Sequence, residues 1–261
     1  MWKANYHTHT TRCKHARDSD EDYVIKAIQA GFKEIGFADH CPWPFEDGYV
    51  SPMRMDVAQL EDYVSSVKSL QEKYQGQIDV KLGLECEYFE TMIPWLVAEK
   101  ERLSIDYLIF GNHFPEIESN HYYDHTPGDS VKAIKDYLRV SLQGIESEIF
   151  AYMAHPDVFM RGYKTFDSHC EEVAYRLCEK AKEYQLPLEY NLAGYTNGGY
   201  PHPEFWKIAK EVGCSCIIGI DAHESAALTN TEIYERALLE IDALGLTKIR
   251  SEERRVGKEC R

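Results

Sequence analysis

The chain has 261 residues, 29 of them Lys or Arg against 44 Asp or Glu, for a formal net charge of -15. Such an acidic balance argues against a partner held through a nucleic-acid backbone, which needs a basic surface. No apolar run reaches the roughly 20 residues that span a bilayer, and no apolar leader follows Met1. The expectation is a soluble cytoplasmic protein whose oligomeric state is left open, with no nucleic-acid or membrane partner.

Short apolar or β-branched runs alternate with longer segments of helical period. Strands are predicted at residues 5–9, 34–40, 78–88, 105–114, 148–155, 186–191 and 214–221. Between them, Val57, Leu60, Val64, Val67, Leu70 and Tyr74 recur at three- and four-residue steps, predicting a helix over 56–74. Asp129-Ser130 is placed to cap a second helix with Val131, Ile134, Tyr137, Leu138, Leu142 and Ile145 on one stripe. Further helices are expected over 20–31, 167–184, 203–213 and 230–245. Seven strands alternating with helices predict an α/β fold, a mostly parallel sheet with helices outside, closed or open. The first strand is not followed by G-x-G-x-x-G, which weakens a dinucleotide-binding version. Residues 1–249 are expected to form one domain; 250–261, charged and without period, are expected to be a disordered, appended tail.

Almost every predicted strand ends in a metal-ligand residue type. The first ends His7-Thr8-His9 and the second Asp39-His40; the third carries Glu85 and Glu87. The fourth ends Asn112-His113, the fifth His155, and the last Asp221-Ala222-His223. In a parallel barrel the C-terminal strand ends gather at one mouth, where barrel enzymes place their chemistry. His7 and His9 are two apart, as are Asp221 and His223, so on a strand each pair faces one way. Imidazole and carboxylate donors suit zinc, iron or manganese. His7, His9, His15, His40, Glu85, His113, His155, Asp221 and His223 are too many donors for one ion; two or three ions, with Glu85 bridging a pair, fit better. Such a cluster can supply a metal-bound hydroxide near neutral pH and hold phosphoryl oxygens. Any one of these histidines alone would more often be structural, and it is their joint placement at strand ends that carries the reading.

The remaining candidates are weaker. His121, His125, His169 and His202 fall in loops or on helix faces and are expected to be solvated, although His121 and His125 could line the mouth. The aromatic stretch 43–49 is either a lid or packing at the rim. The eight cysteines include no C-x-x-C pair and are expected to be reduced and mostly buried.

The ordered motif set resembles the polymerase and histidinol phosphatase (PHP) family, and within it the monofunctional histidinol-phosphate phosphatases. The matching segments are Tyr6-His7-Thr8-His9, Ala38-Asp39-His40, Gly83-Leu84-Glu85, Gly111-Asn112-His113-Phe114, His155-Pro156-Asp157 and Ile220-Asp221-Ala222-His223. His15 matches the extra ligand of trinuclear members. Asn112 departs from the pattern, which has a small residue before the histidine. The resemblance implies a distorted (β/α)7 barrel holding three divalent ions (zinc, iron or manganese). It implies one ion on His7, His9, Glu85 and Asp221, a second on Glu85, His113 and His155, and a third on His15, His40 and His223. Glu85, His155, Asp221 and His223 count as catalytic.

The implied activity is hydrolysis of L-histidinol phosphate to L-histidinol and phosphate, in histidine biosynthesis. Arg161 is expected to contact the phosphate, and Asp39 and Glu116 the amine or imidazole. The nearest alternative is a phosphoesterase of the same fold acting on nucleotides or another small phosphate ester. A non-catalytic metal-binding domain is disfavoured by the intact ligand set. An amidohydrolase-like enzyme is disfavoured because no lysine stands at a strand end.

Overall fold

The computed structural model describes residues 3–120 and 129–249. Residues 250–261 and the two loop histidines, His121 and His125, lie outside that range. The sheet runs β1 (Ala4–Asn5), β2 (Glu34–His40), β3 (Asp79–Cys86), β4 (Tyr107–Phe110), β5 (Tyr152–Met153), β6 (Leu188–Asn191), β7 (Ser215–Gly219) and β8 (Thr247–Lys248). Strand order in space equals order in the chain, and every neighbouring pair is parallel. The crossovers carry α1 (Asp20–Gln29), α2 (Leu60–Lys73), α3 (Ile93–Leu103), α4 (Val131–Glu146), α5 (Ser168–Glu183), the single turn α6 (Gly194–Asn197), α7 (Pro203–Val212) and α8 (Thr231–Leu244).

The distorted barrel implied by the resemblance is recovered, and its distortion has a local cause. Past β1 the chain leaves regular strand geometry, and His7–His9 wedges between the upper ends of β2 and β7. Ala38 N donates to Thr8 O (2.9 Å), His9 N to Ala222 O (2.9 Å) and Ala222 N to His7 O (3.1 Å). The Asn5 side chain fills in where backbone pairing fails, its Oδ1 accepting from Ile220 N at 2.8 Å. The barrel therefore closes at its mouth through the segment that carries H-x-H. The two-residue β8 pairs lower down, with Ser215 and Cys216 of β7; the sequence predicts no strand there. Helix α3 is likewise not predicted. It fully buries only Leu96 and has Pro94 in its first turn, so its apolar period is faint.

The main apolar cluster lies between sheet and helices, and a smaller one of Ala38, Tyr107, Ile109, Tyr152 and Ala154 fills the barrel. Tyr107 is its floor. A Cβ on Gly36 would stand 2.2 Å from the Tyr107 hydroxyl oxygen, and one on Gly83 would stand 2.4 Å from the ring, so only glycine admits it. The hydroxyl donates to Tyr6 O (2.7 Å) and Phe37 O (3.1 Å). Tyr107→Phe strands those carbonyls in a dry floor and is expected to cost about 1–3 kcal/mol. Urea unfolding of the metal-free protein measures the loss; an unchanged midpoint would show that the hydroxyl contributes nothing to stability.

Candidate metal centre

Inner-face positions two apart on successive strands bring the candidate residues together above this floor. Glu85, at the end of β3, is 1% exposed and stands at the centre. One carboxylate oxygen, Oε1, lies 3.0 Å from His155 Nε2 and 3.2 Å from His113 Nε2. The other, Oε2, lies 3.1 Å from His40 Nδ1, 3.4 Å from His7 Nε2 and 3.6 Å from His9 Nε2. Asp221 Oδ1 faces His9 Nε2 at 3.2 Å, His223 Nδ1 at 3.4 Å and His7 Nε2 at 3.5 Å. His223 Nε2 meets His15 Nε2 at 3.0 Å. All nine residues named from the sequence as metal donors thus converge.

The backbone is bent to achieve this. His155 and Asp221 have φ of 28° and 55°, in a region that side-chain-bearing residues avoid, and such strain persists where surrounding structure fixes it. Gly111 has no side chain for the same reason: a Cβ there would stand 2.4 Å from Glu85 Oε1 and 2.6 Å from His113 Cε1.

Buried carboxylates behind the cluster fix the imidazoles. Glu189 of β6 accepts from His7 Nδ1 (2.8 Å), His155 N (3.0 Å) and Asn191 Nδ2 (2.7 Å). Glu87 faces His113 Nδ1 at 2.7 Å and is itself held by Arg54 (2.9 Å) and Trp43 Nε1 (2.7 Å). Arg54, 1% exposed, reaches on to Glu118 at 2.6 Å. A carboxylate on the far ring nitrogen sets the tautomer and raises ligand basicity. Sequence reasoning misses Glu189, Arg54 and Glu118. Glu189 is findable, because Glu189 and Asn191 sit two apart inside an apolar strand, as the histidines of H-x-H do.

Burial and the neighbouring carboxylates shift these imidazoles in opposite directions. Burial opposes charge on His7, yet Asp221, Glu189 and Glu85 outweigh it and hold its pKa well above the ordinary value. His9 is likewise raised against burial by Asp221 and Asp39, and His113, also against burial, reaches about 9 beside Glu85 and Glu87. His40 is pushed well down by burial, and His223 to about 3 by burial and the neighbouring His9 charge. The same imidazoles hold Glu85 and Asp221 ionised against burial.

The residues fit divalent ions. Among the described residues, His7 Nε2, both ring nitrogens of His9, His40 Nδ1, His155 Nδ1 and Asp221 Oδ1 are buried with no well-aligned hydrogen-bond partner. Unpartnered buried donors and acceptors are costly, and most of these atoms point into the centre. His7, His9 and Glu85, then His40, Glu85 and His113, then His15, His40 and His223, each place three donor atoms within 4.8 Å of one another.

A cavity of about 680 Å³ opens over the cluster, walled also by Arg17, Arg161, Asn197, Tyr200 and Glu224. Neither Asp39 nor Glu116 is in that wall. Asp39 is fully buried behind His9, accepting from the Thr10 hydroxyl and from His40 N, whereas Glu116 is exposed. The aromatic stretch 43–49 packs at the rim, with Trp43 buried against Phe89 and Trp95. Asn112 ties β4 to α4 through Tyr137 O and Ser141 Oγ, both at 2.9 Å, which accounts for its place before His113. His169 and His202 lie outside the cavity wall.

A family model described as PHP domain matches residues 5–193. The chain belongs to the PHP domain family. It is 26% identical to the histidinol-phosphatase of Bacillus subtilis, over 86% of this chain and 95% of that one. It is 27% identical to the probable histidinol-phosphatase of Deinococcus radiodurans, over 84% and 85% respectively. Its fold is similar to histidinol phosphate phosphatase from Lactococcus lactis subsp. lactis complexed with zinc, L-histidinol and phosphate (TM-score 0.73, 18% identity, 95% of each chain).

Ligation requires neutral imidazole, so an entering ion must displace the protons that the carboxylates hold on His7, His9 and His113. Zinc binding to metal-free protein at pH 7 is therefore expected to release protons, and apparent affinity to rise as pH increases through about 9, the value to which Glu85 and Glu87 lift His113 against burial. For the metal-free protein the sign is opposite. A folded pKa of about 9, against roughly 6.5 unfolded, gives a stabilisation present below pH ~6.5 and lost as pH rises through 9. Calorimetry in buffers of different ionisation enthalpy counts the protons; zinc uptake without proton release would contradict this electrostatic picture.

Proposed function

We propose that this centre holds three divalent ions and hydrolyses L-histidinol phosphate to L-histidinol and phosphate. The observation that carries the reading is Glu85, whose two oxygens face separate imidazole groups, His113 and His155 on one side and His7, His9 and His40 on the other. That division supports a bridging carboxylate between two ions, with Asp221 completing one set and His15, His40 and His223 forming a third. Divalent ions in such sets neutralise non-bridging phosphoryl oxygens and make bound water nucleophilic near neutral pH.

The chain's own contribution is positioning. Phosphoryl transfer needs little covalent work from side chains, so the buried ligand set, locked by Glu87 and Glu189, fixes where phosphorus must sit. Arg161 and Arg17 stand in the cavity wall, and their guanidinium groups are suited to the phosphate's outer oxygens. Arg161 is set by its loop: a Cβ on Gly199 would stand 2.9 Å from the Arg161 backbone, and Asp157 pins the same loop through His202 N (2.6 Å) and Trp206 Nε1 (3.0 Å). Glu224 supplies the wall's carboxylate outside the ligand set and is placed to meet the substrate's ammonium, a role that Asp39 and Glu116 are not positioned to fill.

Phosphate release from L-histidinol phosphate, beside nucleotides and sugar phosphates and with added zinc or manganese, tests the substrate. A kcat/KM of about 10⁴ M⁻¹s⁻¹ or more on histidinol phosphate alone is expected; comparable rates on other esters would refute the specificity. Arg161→Ala is expected to lower kcat/KM about 10- to 100-fold, the loss of one charged hydrogen bond of roughly 1.5–3 kcal/mol, with metal content unchanged. Wild-type kinetics would remove Arg161 from the site.

A further inference from the structure

We propose that Asp18 is a positioning residue, and that its clasp on Ser225 sets Arg17 and Glu224 against one substrate. The inference rests on the histidinol-phosphate reading above and deepens it, by naming what holds the two wall charges in place. Arg17 lies on the connection from β1 to α1 and Glu224 on the connection from β7 to α8. Both line the cavity. The two connections meet because the barrel mouth closes between His7–His9 and Ala222. Each wall charge is followed in the chain by one half of the clasp. Asp18 Oδ2 accepts from Ser225 N and from Ser225 Oγ, both at 2.8 Å. One step back on each side, Arg17 N donates to His223 O at 2.8 Å.

Three features fix this contact. Asp18 has φ of 67°, a left-handed backbone that Asp and Asn adopt more readily than other side chains. Ser225 is buried and opens the short turn Ser225–Thr229, so its N–H finds no partner inside that turn and Asp18 supplies one. The Arg17 carbonyl accepts from the hydroxyl of fully buried Tyr23 at 2.7 Å, which holds the Arg17 peptide on both sides. The bonds from Ser225 keep the Asp18 carboxyl below its ordinary pKa, so at neutral pH it is ionised and acts only as an acceptor. A phosphate ester that carries an ammonium brings both signs of charge to this wall. Arg17 suits the phosphoryl oxygens and Glu224 the ammonium. Asp18 and Ser225 need touch neither group; they set the spacing between the two charges, and a misplacement of about 1 Å is enough to weaken such recognition.

The test uses the full chain loaded with zinc, and L-histidinol phosphate as substrate. Asp18→Ala and Ser225→Ala are each expected to raise KM about 3- to 10-fold, the equilibrium worth of one net hydrogen bond, with kcat and bound zinc at wild-type levels. Asp18→Asn keeps an acceptor oxygen and fits the same backbone, and is expected to recover most of the lost kcat/KM. In protein already carrying Arg17→Ala and Glu224→Gln, Asp18→Ala is expected to cost nothing further, because a positioning residue acts only through the groups it positions. Wild-type KM in both single variants, or an undiminished further loss in the Arg17→Ala, Glu224→Gln background, would overturn the clasp. Loss of bound zinc in Asp18→Ala and Ser225→Ala would also overturn it, placing the effect on the ligand His223 instead. A wild-type protein that leaves L-histidinol phosphate intact would overturn the reading beneath the proposal as well, and that control tells the two failures apart.

Discussion

One buried carboxylate organises this molecule. Five imidazole nitrogens from four segments of chain lie within 3.0–3.6 Å of the Glu85 oxygens. A lone carboxylate in such a place would be costly to bury; surrounded by bases that can carry protons or metal, it is held ionised. Much of the fold's irregularity follows from bringing those nitrogens to it. The H-x-H segment leaves β1 to close the barrel, His155 and Asp221 accept left-handed backbone, and position 111 forgoes a side chain.

The second layer explains why the arrangement can be precise. Glu189 holds His7 and the His155 backbone together, while Glu87 links His113 to Arg54 and onward to Glu118. Arg54 brings the segment after β2 into the same network as the segment after β4. A buried ion pair of this kind adds little net stability against an apolar replacement, but removing one partner strands a charge. Its value here is geometric, in fixing ring orientation before any ion or substrate arrives.

Much of this is legible in the sequence. Histidines and carboxylates at strand ends, with the period-two pairs His7/His9 and Asp221/His223, are visible because a parallel barrel gathers strand ends by geometry alone. The predicted strands run a few residues past the observed ones, since His7–His9 and Asp221 depart from regular ladders. What stays hidden depends on long-range pairing. Arg54 and Glu118 are 64 residues apart, and nothing local marks either as buried. Asp39, read as a substrate contact, carries the same residue type as a ligand but faces backward onto Thr10 and His40 N. Glu224, next to the D-x-H motif, has no local signal either, because its place on the cavity wall is a property of the closed barrel.

The central claim is that Glu85 joins two groups of imidazoles into one polynuclear centre. Metal analysis of wild type and Glu85→Gln, each purified without chelators and reconstituted with zinc, tests it most directly. Gln keeps the shape and removes the charge, so the variant is expected to remain folded but lose stable binding of at least two ions. A Glu85→Gln protein that retains the wild-type number of ions at wild-type affinity would contradict it.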